Sequence, residues 1–271
     1  MNTVVIVCFF TFLIHLTECL ALSMRLAGAR TKQIATSLSF VNIAFLIARL
    51  SNMFQAPLLG ALVDQAVRLN TAAELMQSFR LILFAAFCGN LLGMVFTPSV
   101  SYILVKGIHL FEKQASIPRL IFAALQPRNI WKILSNLRLP SLKYFSGINY
   151  RAVPHTFLYL NILMVGIYAV GVLASLLAGA FLPEQRATAV QLSGIVNGLA
   201  TIMLAIMVDP SGAHITDQVV HGKRPLNDVW TMVFFLQLGR LLATLILAQL
   251  ILWPAAQYII TVTGWITAMT G

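Results

Sequence analysis

Six long apolar runs constrain what this chain can fold into more than any other feature of its sequence. Each run approaches the roughly 20 residues that an α-helix needs to cross a bilayer. They cover residues 3–24, 34–56, 80–104, 157–182, 187–208 and 229–252. Inside a bilayer only helices and closed barrels satisfy their own backbone hydrogen bonds, and unbroken apolar runs favour helices. The sequence therefore predicts an all-α integral membrane protein, with residues 1–271 forming a single transmembrane domain of about six spans.

Composition supports a membrane location. Of the 271 residues, 59% are hydrophobic and 10% are charged, whereas soluble domains carry about 25% charged residues to cover a solvated surface. The first run has the position of a cleaved signal peptide. It lacks a basic leading region and carries His15 and Glu18 within its apolar body, so we expect it to be retained as the first span.

The net charge of +10 is concentrated next to the apolar runs. Eight of the 18 basic residues lie in one stretch between spans three and four: Lys106, Lys113, Arg119, Arg128, Lys132, Arg138, Lys143 and Arg151. Basic loops beside membrane spans are typical of the cytoplasmic side, and no aromatic-interleaved motif points to nucleic acid as a partner. Arg25, Arg30 and Lys32 follow the first span and fall on the same side if there are six spans. We therefore expect a basic cytoplasmic loop over 105–156, with the N-terminus and the C-terminus both outside the cell.

The loop over 105–156 is too long to be a simple connector. Its apolar residues recur at helical spacing beside Trp131, with basic residues on other faces: Ile130, Leu134 and Leu137 against Lys132 and Arg138. This pattern is typical of an amphipathic helix at the membrane interface, and periodicity alone fits a helix packed under the bundle equally well. The tail over 254–271 begins with Pro254 and is apolar but short, so a half-inserted segment is one interpretation of it.

Spans three and five each carry two glycines four residues apart, Gly89 with Gly93 and Gly194 with Gly198. Small residues at this spacing let helices approach closely. Packing inside the bundle is the favoured interpretation, and homodimerisation is the alternative.

Polar residues on four of the spans repeat at helical spacing. They are His15, Glu18 and Arg25 on span one, Asn42, Arg49, Asn52 and Gln55 on span two, Ser193, Asn197 and Thr201 on span five, and Gln237, Arg240 and Thr244 on span six. An ionised side chain at the centre of a membrane helix costs about 2.5–3.5 kcal/mol, so each needs a partner or a hydrated cavity. The stripes predict one solvated interior shared by the four helices. Asp64 follows just past Pro57, where we expect the second helix to bend or break.

Deep arginines outnumber deep acids in these stripes. Arg49 and Arg240 are deep, whereas Glu18 is the one carboxylate at a comparable depth in the sequence. A guanidinium group stays charged where water is scarce and binds phosphate through two parallel hydrogen bonds. The excess positive charge therefore predicts a path for a lipid phosphate or pyrophosphate headgroup. The alternative is that Glu18 pairs with Arg49 or Arg240 simply to hold helices together.

His15 and Glu18 are also spaced as half of a metal site would be, but no further ligands cluster with them in the sequence. We interpret them as a hydrogen-bonded pair or a proton-responsive site and expect no metal. The chain has no phosphate-binding P-loop, so we expect no cofactor and no ATP hydrolysis by the chain itself.

Three stretches carry a resemblance to a known family: residues 12–18 (FLIHLTE), 25–32 (RLAGARTK) and 48–60 (ARLSNMFQAPLLG). Over about residues 11–65 the chain resembles the Amj family of bacterial lipid II flippases, the alternate to MurJ. The resemblance implies a multi-pass protein of the bacterial cytoplasmic (inner) membrane. Its implied substrate is lipid II, the undecaprenyl-pyrophosphate-linked muropeptide, moved from the inner to the outer leaflet for peptidoglycan synthesis. The positions that fall on the family motif are His15, Glu18, Arg25, Arg49, Asn52, Gln55 and Asp64.

The motif and the stripes together predict two groups of site residues. Those expected to bind the pyrophosphate headgroup are Arg49, Arg240, Arg25, Asn52 and Gln55, where Arg240 comes from its place in span six rather than from the motif. Those expected to balance charge or to couple transport are Glu18, His15 and Asp64. In this hypothesis Arg49 and Arg240 hold the pyrophosphate in a polar groove while the prenyl chain stays in lipid. Glu18 neutralises the arginines when the groove is empty.

Two other functions are alternatives to transport. A membrane undecaprenyl-pyrophosphate phosphatase also needs arginines inside a helical bundle, but it requires clustered glutamates and an arginine-serine motif, which this sequence lacks. A non-transporting cell-envelope scaffold would use the glycine faces as its main feature. We expect a transporter rather than an enzyme.

Overall fold

A computed structural model of the chain describes residues 2–114, 116, 119, 122–123, 126–137 and 147–270, and the regular structure of these residues is helical. The α-helices are α1 (Thr3–Ala21), α2 (Ser23–Thr31), α3 (Ile34–Arg68), α4 (Ala72–Gln114), α5 (Pro127–Ser135), α6 (His155–Phe181), α7 (Arg186–Gln191), α8 (Ser193–Met203), α9 (Asp209–Val220), α10 (Leu226–Leu242) and α11 (Ala248–Thr270). A 3₁₀ turn over Pro183–Gln185 precedes α7. Two π-helical turns join longer helices, Leu204–Val208 before α9 and Ala243–Leu247 before α11.

Six helical segments in the described part are long and apolar enough to cross a membrane. They are Thr3–Thr31, Ile34–Arg68, Ala72–Lys113, His155–Phe181, Pro183–Val220 and Leu226–Met269. The prediction of an all-α chain with about six spans is confirmed. Large apolar side chains cover the outer faces of these segments, among them Met53, Ile206 and Leu250. A lipid environment accommodates such a surface, which would be an aggregation liability in water.

The helices run further than the apolar runs predicted, and two of them pass through proline. Of the two expectations for Pro57, a break is wrong, because α3 continues to Arg68 and Asp64 lies within it, whereas a bend stays a prediction. Proline removes one backbone hydrogen bond and crowds the preceding turn. Buried packing on both sides of Asp64, at Leu62 and Val63 before it and at Ala66 after it, holds α3 helical beyond the proline. The tail after Pro254 likewise belongs to α11, which continues to Thr270.

Helix α6 lies at the centre of the bundle and packs against α3, α8, α10 and α11. One hydrophobic core joins α6 to α3, α4 and α11 around Phe79, Leu177 and Leu252. A second core joins α2, α6 and α10 around Leu26, Phe157 and Met232. Helix α1 lies against α3 and α4, so the first and third spans share a long contact.

The contact between α1 and α4 depends on the two glycines of span three. A Cβ atom at Gly89 would lie 2.4 Å from the carbonyl oxygen of Phe12, and one at Gly93 would lie 2.7 Å from the Cβ of Cys19. The prediction of internal packing is therefore confirmed for this pair. It is wrong for Gly194 and Gly198, which have open space where a Cβ would project, because α8 lies at the edge of the bundle with its apolar residues exposed.

Helix α5 is the helix predicted in the central loop. Ile130 and Trp131 are exposed, Trp131 to 73%, and α5 packs closely against no other described helix. Packing under the bundle is therefore wrong for α5, whereas its contact with the membrane interface stays a prediction. The side chain of Leu134 and all of Arg138 and Lys143 lie outside the described residues.

Candidate functional site

Two of the charged residues in the apolar runs form an ion pair between the first and the last span. Glu18 on α1 and Arg240 on α10 contact each other through Glu18 Oε2 and Arg240 Nη2. Their side chains are mostly buried, with 19% and 16% of their surfaces exposed. Glu18 lies 15 residues after the start of α1, or about 22 Å along a helix that rises 1.5 Å per residue, so the pair lies well within the span.

Asn90 joins this ion pair to the rest of the interior. The Nε of Arg240 donates a hydrogen bond to Asn90 Oδ1 at 3.2 Å. The amide nitrogen of Asn90 lies 3.4 Å from His15 Nδ1 and 3.4 Å from Thr244 Oγ1. Asn90 is fully buried, and His15 and Thr244 are buried beside it. One connected set of hydrogen bonds therefore links α1, α4, α10 and the π turn after α10.

Gln237 extends this network by one helical turn. Its side-chain nitrogen donates to the carbonyl oxygen of Cys19 at 3.1 Å and to Thr97 Oγ1 at 2.5 Å. The Gln237 Oε1 atom is buried without a hydrogen-bond partner among the described residues. We call Glu18, Arg240, Asn90, His15, Thr244, Gln237 and Thr97 the central network. The predicted stripe of span six therefore faces the predicted stripe of span one, through α4.

The polar residues predicted to form one stripe on span two do not share one environment. Gln55 is buried and donates to Thr11 Oγ1 at 2.9 Å, whereas Asn42, Arg49 and Asn52 are exposed. Asn52 and Gln55 follow Arg49 by three and six residues. Because an α-helix has 3.6 residues per turn, residues spaced in this way do not stay on one face, and Gln55 faces a different direction from Arg49. Arg49 forms no ion pair with a residue that the structure describes.

Arg49 lies on α3, and α3 packs against α1, the helix that carries Glu18. Glu18 compensates Arg240, and no described carboxylate compensates Arg49. Arg49 is therefore an exposed positive charge without a described ion-pair partner, and its role in binding a headgroup stays a prediction.

The stripe of span five does not join the central network. Asn197 packs against α6 at Gly171, Ser193 is half-buried, and Thr201 is exposed at the edge of the bundle. The prediction of one solvated interior shared by four stripes is therefore wrong. Spans one and six contact each other directly and share contacts with span three, because α4 rather than α8 packs against α1.

Two further ion pairs lie toward opposite ends of α3. Arg25 on α2 contacts Asp209 at the start of α9 at 2.8 Å, next to the beginning of α3. Asp64, near the end of α3, contacts Arg186 on α7. The second pair lines a pocket of about 370 Å³ with Ala61, Val67 and Arg68. A second pocket lies beside α7 and α8. Neither of these two pockets is lined by Glu18 or Arg240.

Sequence reasoning missed several partners in these contacts, among them Asn90, Arg186 and Asp209. Asn90 is an amide inside an apolar run, and that signal was available. Arg186 and Asp209 fell at the ends of predicted spans, where charged residues are ordinary. The π turns beside Arg240 and Asp209 have no signature in composition, although such turns are frequent at functional sites.

The network has the chemistry to bind an anion. In the described part of the chain, no three histidine, cysteine or acidic side chains come together as a metal site would require. Arg240 offers planar donors, one set used by Glu18 and one by Asn90. A phosphate oxygen has the charge and the acceptor geometry of the Glu18 carboxylate, so it can take the place of that carboxylate on Arg240.

Two comparisons with known proteins found matches. Residues 10–263 match the family described as Amj, Alternate to MurJ. The chain is 39% identical over 258 residues to a protein of Bacillus subtilis (strain 168) named Lipid II flippase Amj, with 94% of this chain and 95% of the relative covered. No solved structure matches the chain.

Proposed function

The chain belongs to the Amj family, and from this premise we propose that it is a flippase that moves lipid II from the inner to the outer leaflet of the bacterial cytoplasmic membrane. The observation that carries the proposal is the Glu18–Arg240 pair inside membrane-spanning helices. A buried arginine held by an exchangeable carboxylate is a site for a lipid-borne phosphate. The transported molecule is the undecaprenyl-pyrophosphate-linked muropeptide that the family resemblance implies.

The pyrophosphate binds by exchange at Arg240. With no substrate bound, Glu18 satisfies the charge of Arg240. A pyrophosphate oxygen displaces the Glu18 carboxylate, and Arg49 supplies a second positive charge that has no described ion-pair partner. The prenyl chain stays in lipid, where burial of its apolar surface requires no pore. Arg240 and Arg49 are thus the headgroup-binding residues, and Glu18 balances the charge of the empty site.

The other predicted site residues take roles along the path. Arg25 lies at the basic end of the bundle and is paired with Asp209, a position suited to the first contact with the headgroup. Asn52 and Gln55 lie on the same helix as Arg49, Asn52 exposed and Gln55 buried against Thr11, and are the weaker candidates for contact. Asp64 lies toward the opposite end of α3 and pairs with Arg186; it balances charge where the headgroup leaves.

We propose that both termini lie outside the cell and that the basic loops face the cytoplasm. Arg30 donates a hydrogen bond to Ser101, and Gln33 donates one to Glu112 near the end of α4. The basic residues after span one therefore lie at the same end of the bundle as those of the central loop, in accord with the positive-inside rule. Transport in this topology is directed away from the basic end.

Homodimerisation stays a prediction. The glycines of span three are used within the bundle, whereas Gly194 and Gly198 face open space on an exposed helix. A second copy that packed there would use the small-residue face.

The two alternative functions receive less support. A phosphatase for undecaprenyl pyrophosphate would need acidic residues gathered beside the arginine, and Glu18 is the one acidic residue in the central network as the structure describes it. A scaffold function gives no reason for the ion pair to lie within the spans. Phosphate release from prenyl pyrophosphate by the purified protein would favour the phosphatase. A stable partner complex without translocation would favour the scaffold.

Lipid II accessibility in living cells tests the proposal. Cells depleted of every other lipid II flippase would express either this chain or its Arg240→Ala variant at matched levels, and outer-leaflet lipid II would be measured with an impermeant probe. We expect accessible lipid II with the wild-type chain and a loss of the signal with the variant. The absence of outer-leaflet lipid II in cells expressing the wild-type chain would overturn the proposal.

A further inference from the structure

The side chain of Asn90 contacts three other members of the central network. Its oxygen accepts from Arg240 at 3.2 Å, and its nitrogen lies 3.4 Å from both His15 and Thr244. We propose that Asn90 is the positioning residue of Arg240 and that it makes the position of Arg240 depend on whether His15 carries a proton. This inference rests on the proposed function for its consequence, but its geometry can be tested without any transport.

The orientation of the Asn90 amide follows from its neighbours. A guanidinium group can only donate, so the Asn90 oxygen must face Arg240. The hydroxyl of Thr244 donates its single proton to the carbonyl oxygen of Arg240 at 2.8 Å, which leaves it an acceptor toward Asn90. Both contacts therefore place the NH₂ group of Asn90 toward Thr244 and toward His15.

This orientation selects one form of His15. Because the Asn90 NH₂ group donates, His15 Nδ1 must accept, which requires a neutral imidazole with its proton on Nε2. His15 is buried, with 8% of its surface exposed. The structure therefore assigns a single tautomer to His15 in the arrangement where Arg240 is bound to Asn90 and Glu18.

Protonation of His15 is incompatible with that arrangement. One proton from water adds to the Nδ1 lone pair and produces an imidazolium, so that an N–H then faces the Asn90 NH₂ group. Rotation of the amide by half a turn would satisfy His15, but it would turn the NH₂ group toward Arg240, which has no acceptor. The Asn90 amide can therefore hydrogen-bond to neutral His15 and to Arg240 at the same time. When His15 is protonated, the amide can hydrogen-bond to His15 only by giving up its bond to Arg240.

The charges around His15 determine how the proton and the substrate influence each other. The titratable and charged groups around this cluster are Glu18 and Cys19 on α1, Arg240 on α10, Tyr168 on α6 and Arg49 on α3. The negative Glu18 carboxylate attracts a positive charge on His15, and the positive Arg240 guanidinium repels one. A phosphate that displaces Glu18 from Arg240 screens the arginine and leaves the carboxylate one turn from His15. Anion binding and protonation of His15 should therefore promote each other, as reciprocal linkage requires.

Nitrogen NMR of histidine in the full-length protein tests the geometry. The protein would be labelled with ¹⁵N-histidine and studied in lipid nanodiscs without lipid II, with the His15 signals assigned by their absence in His15→Gln. Near neutral pH we expect the signals of a neutral ring protonated at Nε2. In Asn90→Leu, which can neither donate nor accept, we expect this tautomer preference to be lost. A ring protonated at Nδ1 in the wild-type protein would overturn the inference, as would identical signals in the wild-type protein and Asn90→Leu.

The pH profile of translocation tests the consequence. Gln at position 15 keeps a side-chain acceptor for Asn90 but cannot take up the proton, so His15→Gln separates positioning from titration. In proteoliposomes we expect the wild-type rate to rise several-fold as the pH is lowered and His15 takes up its proton, and the rate of His15→Gln to stay flat. His155→Gln changes an exposed histidine at the start of α6 and should retain the wild-type profile. A wild-type pH profile in His15→Gln would contradict the inference.

The two measurements keep this inference separate from the proposed function. If the wild-type protein translocates no lipid II at any pH, the proposed function fails, and the NMR result alone decides the role of Asn90. If translocation occurs and the expected tautomer is absent, the role of Asn90 is wrong and the flippase proposal stands.

Discussion

The Glu18–Arg240 pair and the Asp64–Arg186 pair join the same two kinds of side chain in very different surroundings. In the first pair 19% and 16% of the side-chain surfaces are exposed, and Asn90 adds a further hydrogen bond to Arg240. In the second pair Arg186 is 41% exposed and Asp64 is 56% exposed, beside an open pocket. A buried pair leaves a costly bare charge when one partner is lost, whereas exposed pairs contribute little to stability. This difference is why we propose the central pair, and not the end pair, as the place where an anion binds.

The largest expected effect comes from Arg240→Ala. It leaves Glu18 without its partner inside the bundle, which costs about 3–5 kcal/mol for a buried pair, and it removes the proposed phosphate-binding group. We expect a clear fall in the thermal unfolding temperature and a loss of lipid II translocation. Wild-type stability and wild-type translocation together would show that the central pair is no more important than a surface pair.

A charge reversal separates pairing from anion binding. Glu18→Arg combined with Arg240→Glu keeps one charge of each sign and should restore much of the stability that either single change removes. It moves the guanidinium from α10 to α1, away from Asn90, so we expect translocation to stay absent. The double variant and both single variants would be compared by thermal unfolding and by vesicle assay. Recovery of translocation with stability would mean that the pair only holds helices together.

Arg49→Gln should affect transport and leave stability alone. Arg49 is exposed and forms no ion pair with a described residue, so its loss should change the unfolding free energy by less than about 0.5 kcal/mol. As the second positive charge at the proposed site, its loss should lower the translocation rate. Arg80→Gln is the matched control, because Arg80 is also exposed on a spanning helix but outside the site. Equal rates in the two variants would remove Arg49 from the mechanism.

The smallest expected effect is that of Asp64→Asn. An exposed ion pair contributes about 0–1 kcal/mol, and the open pocket lets water solvate the Arg186 side chain that remains. We expect an unfolding temperature close to that of the wild-type protein and a modest change in rate. A loss of stability as large as that of Arg240→Ala would erase the distinction between the two pairs.

The helices and the pairing of Glu18 with an arginine could be predicted from the sequence for one physical reason. In lipid, long apolar segments must form helices to satisfy their backbone hydrogen bonds, and charged side chains on them require partners. The two partners considered for Glu18 were Arg49 and Arg240, and the structure pairs it with Arg240. That choice depends on how each helix is rotated about its axis. The rotation follows from contacts such as Gly89 against Phe12, which periodicity alone does not encode.

The remaining errors have the same origin. Polar residues of span two were assigned to one face, but the 3.6-residue period places Gln55 inside and Asn52 outside. The stripe of span five suggested an interior position, but α8 packs at the edge with Asn197 against Gly171. The continuity of α3 beyond Pro57 depends on tertiary packing, which outweighs the local preference of proline.

Binding of inorganic pyrophosphate to the purified protein, measured calorimetrically in nanodiscs for the wild-type chain and Glu18→Gln, tests the central claim most directly. If a phosphate must displace Glu18 from Arg240, removing the negative charge of Glu18 removes the competitor. We predict that Glu18→Gln binds pyrophosphate about tenfold more tightly, a gain of about 1.4 kcal/mol, while Asp64→Asn binds as the wild-type protein does. Equal or weaker binding by Glu18→Gln would contradict the account.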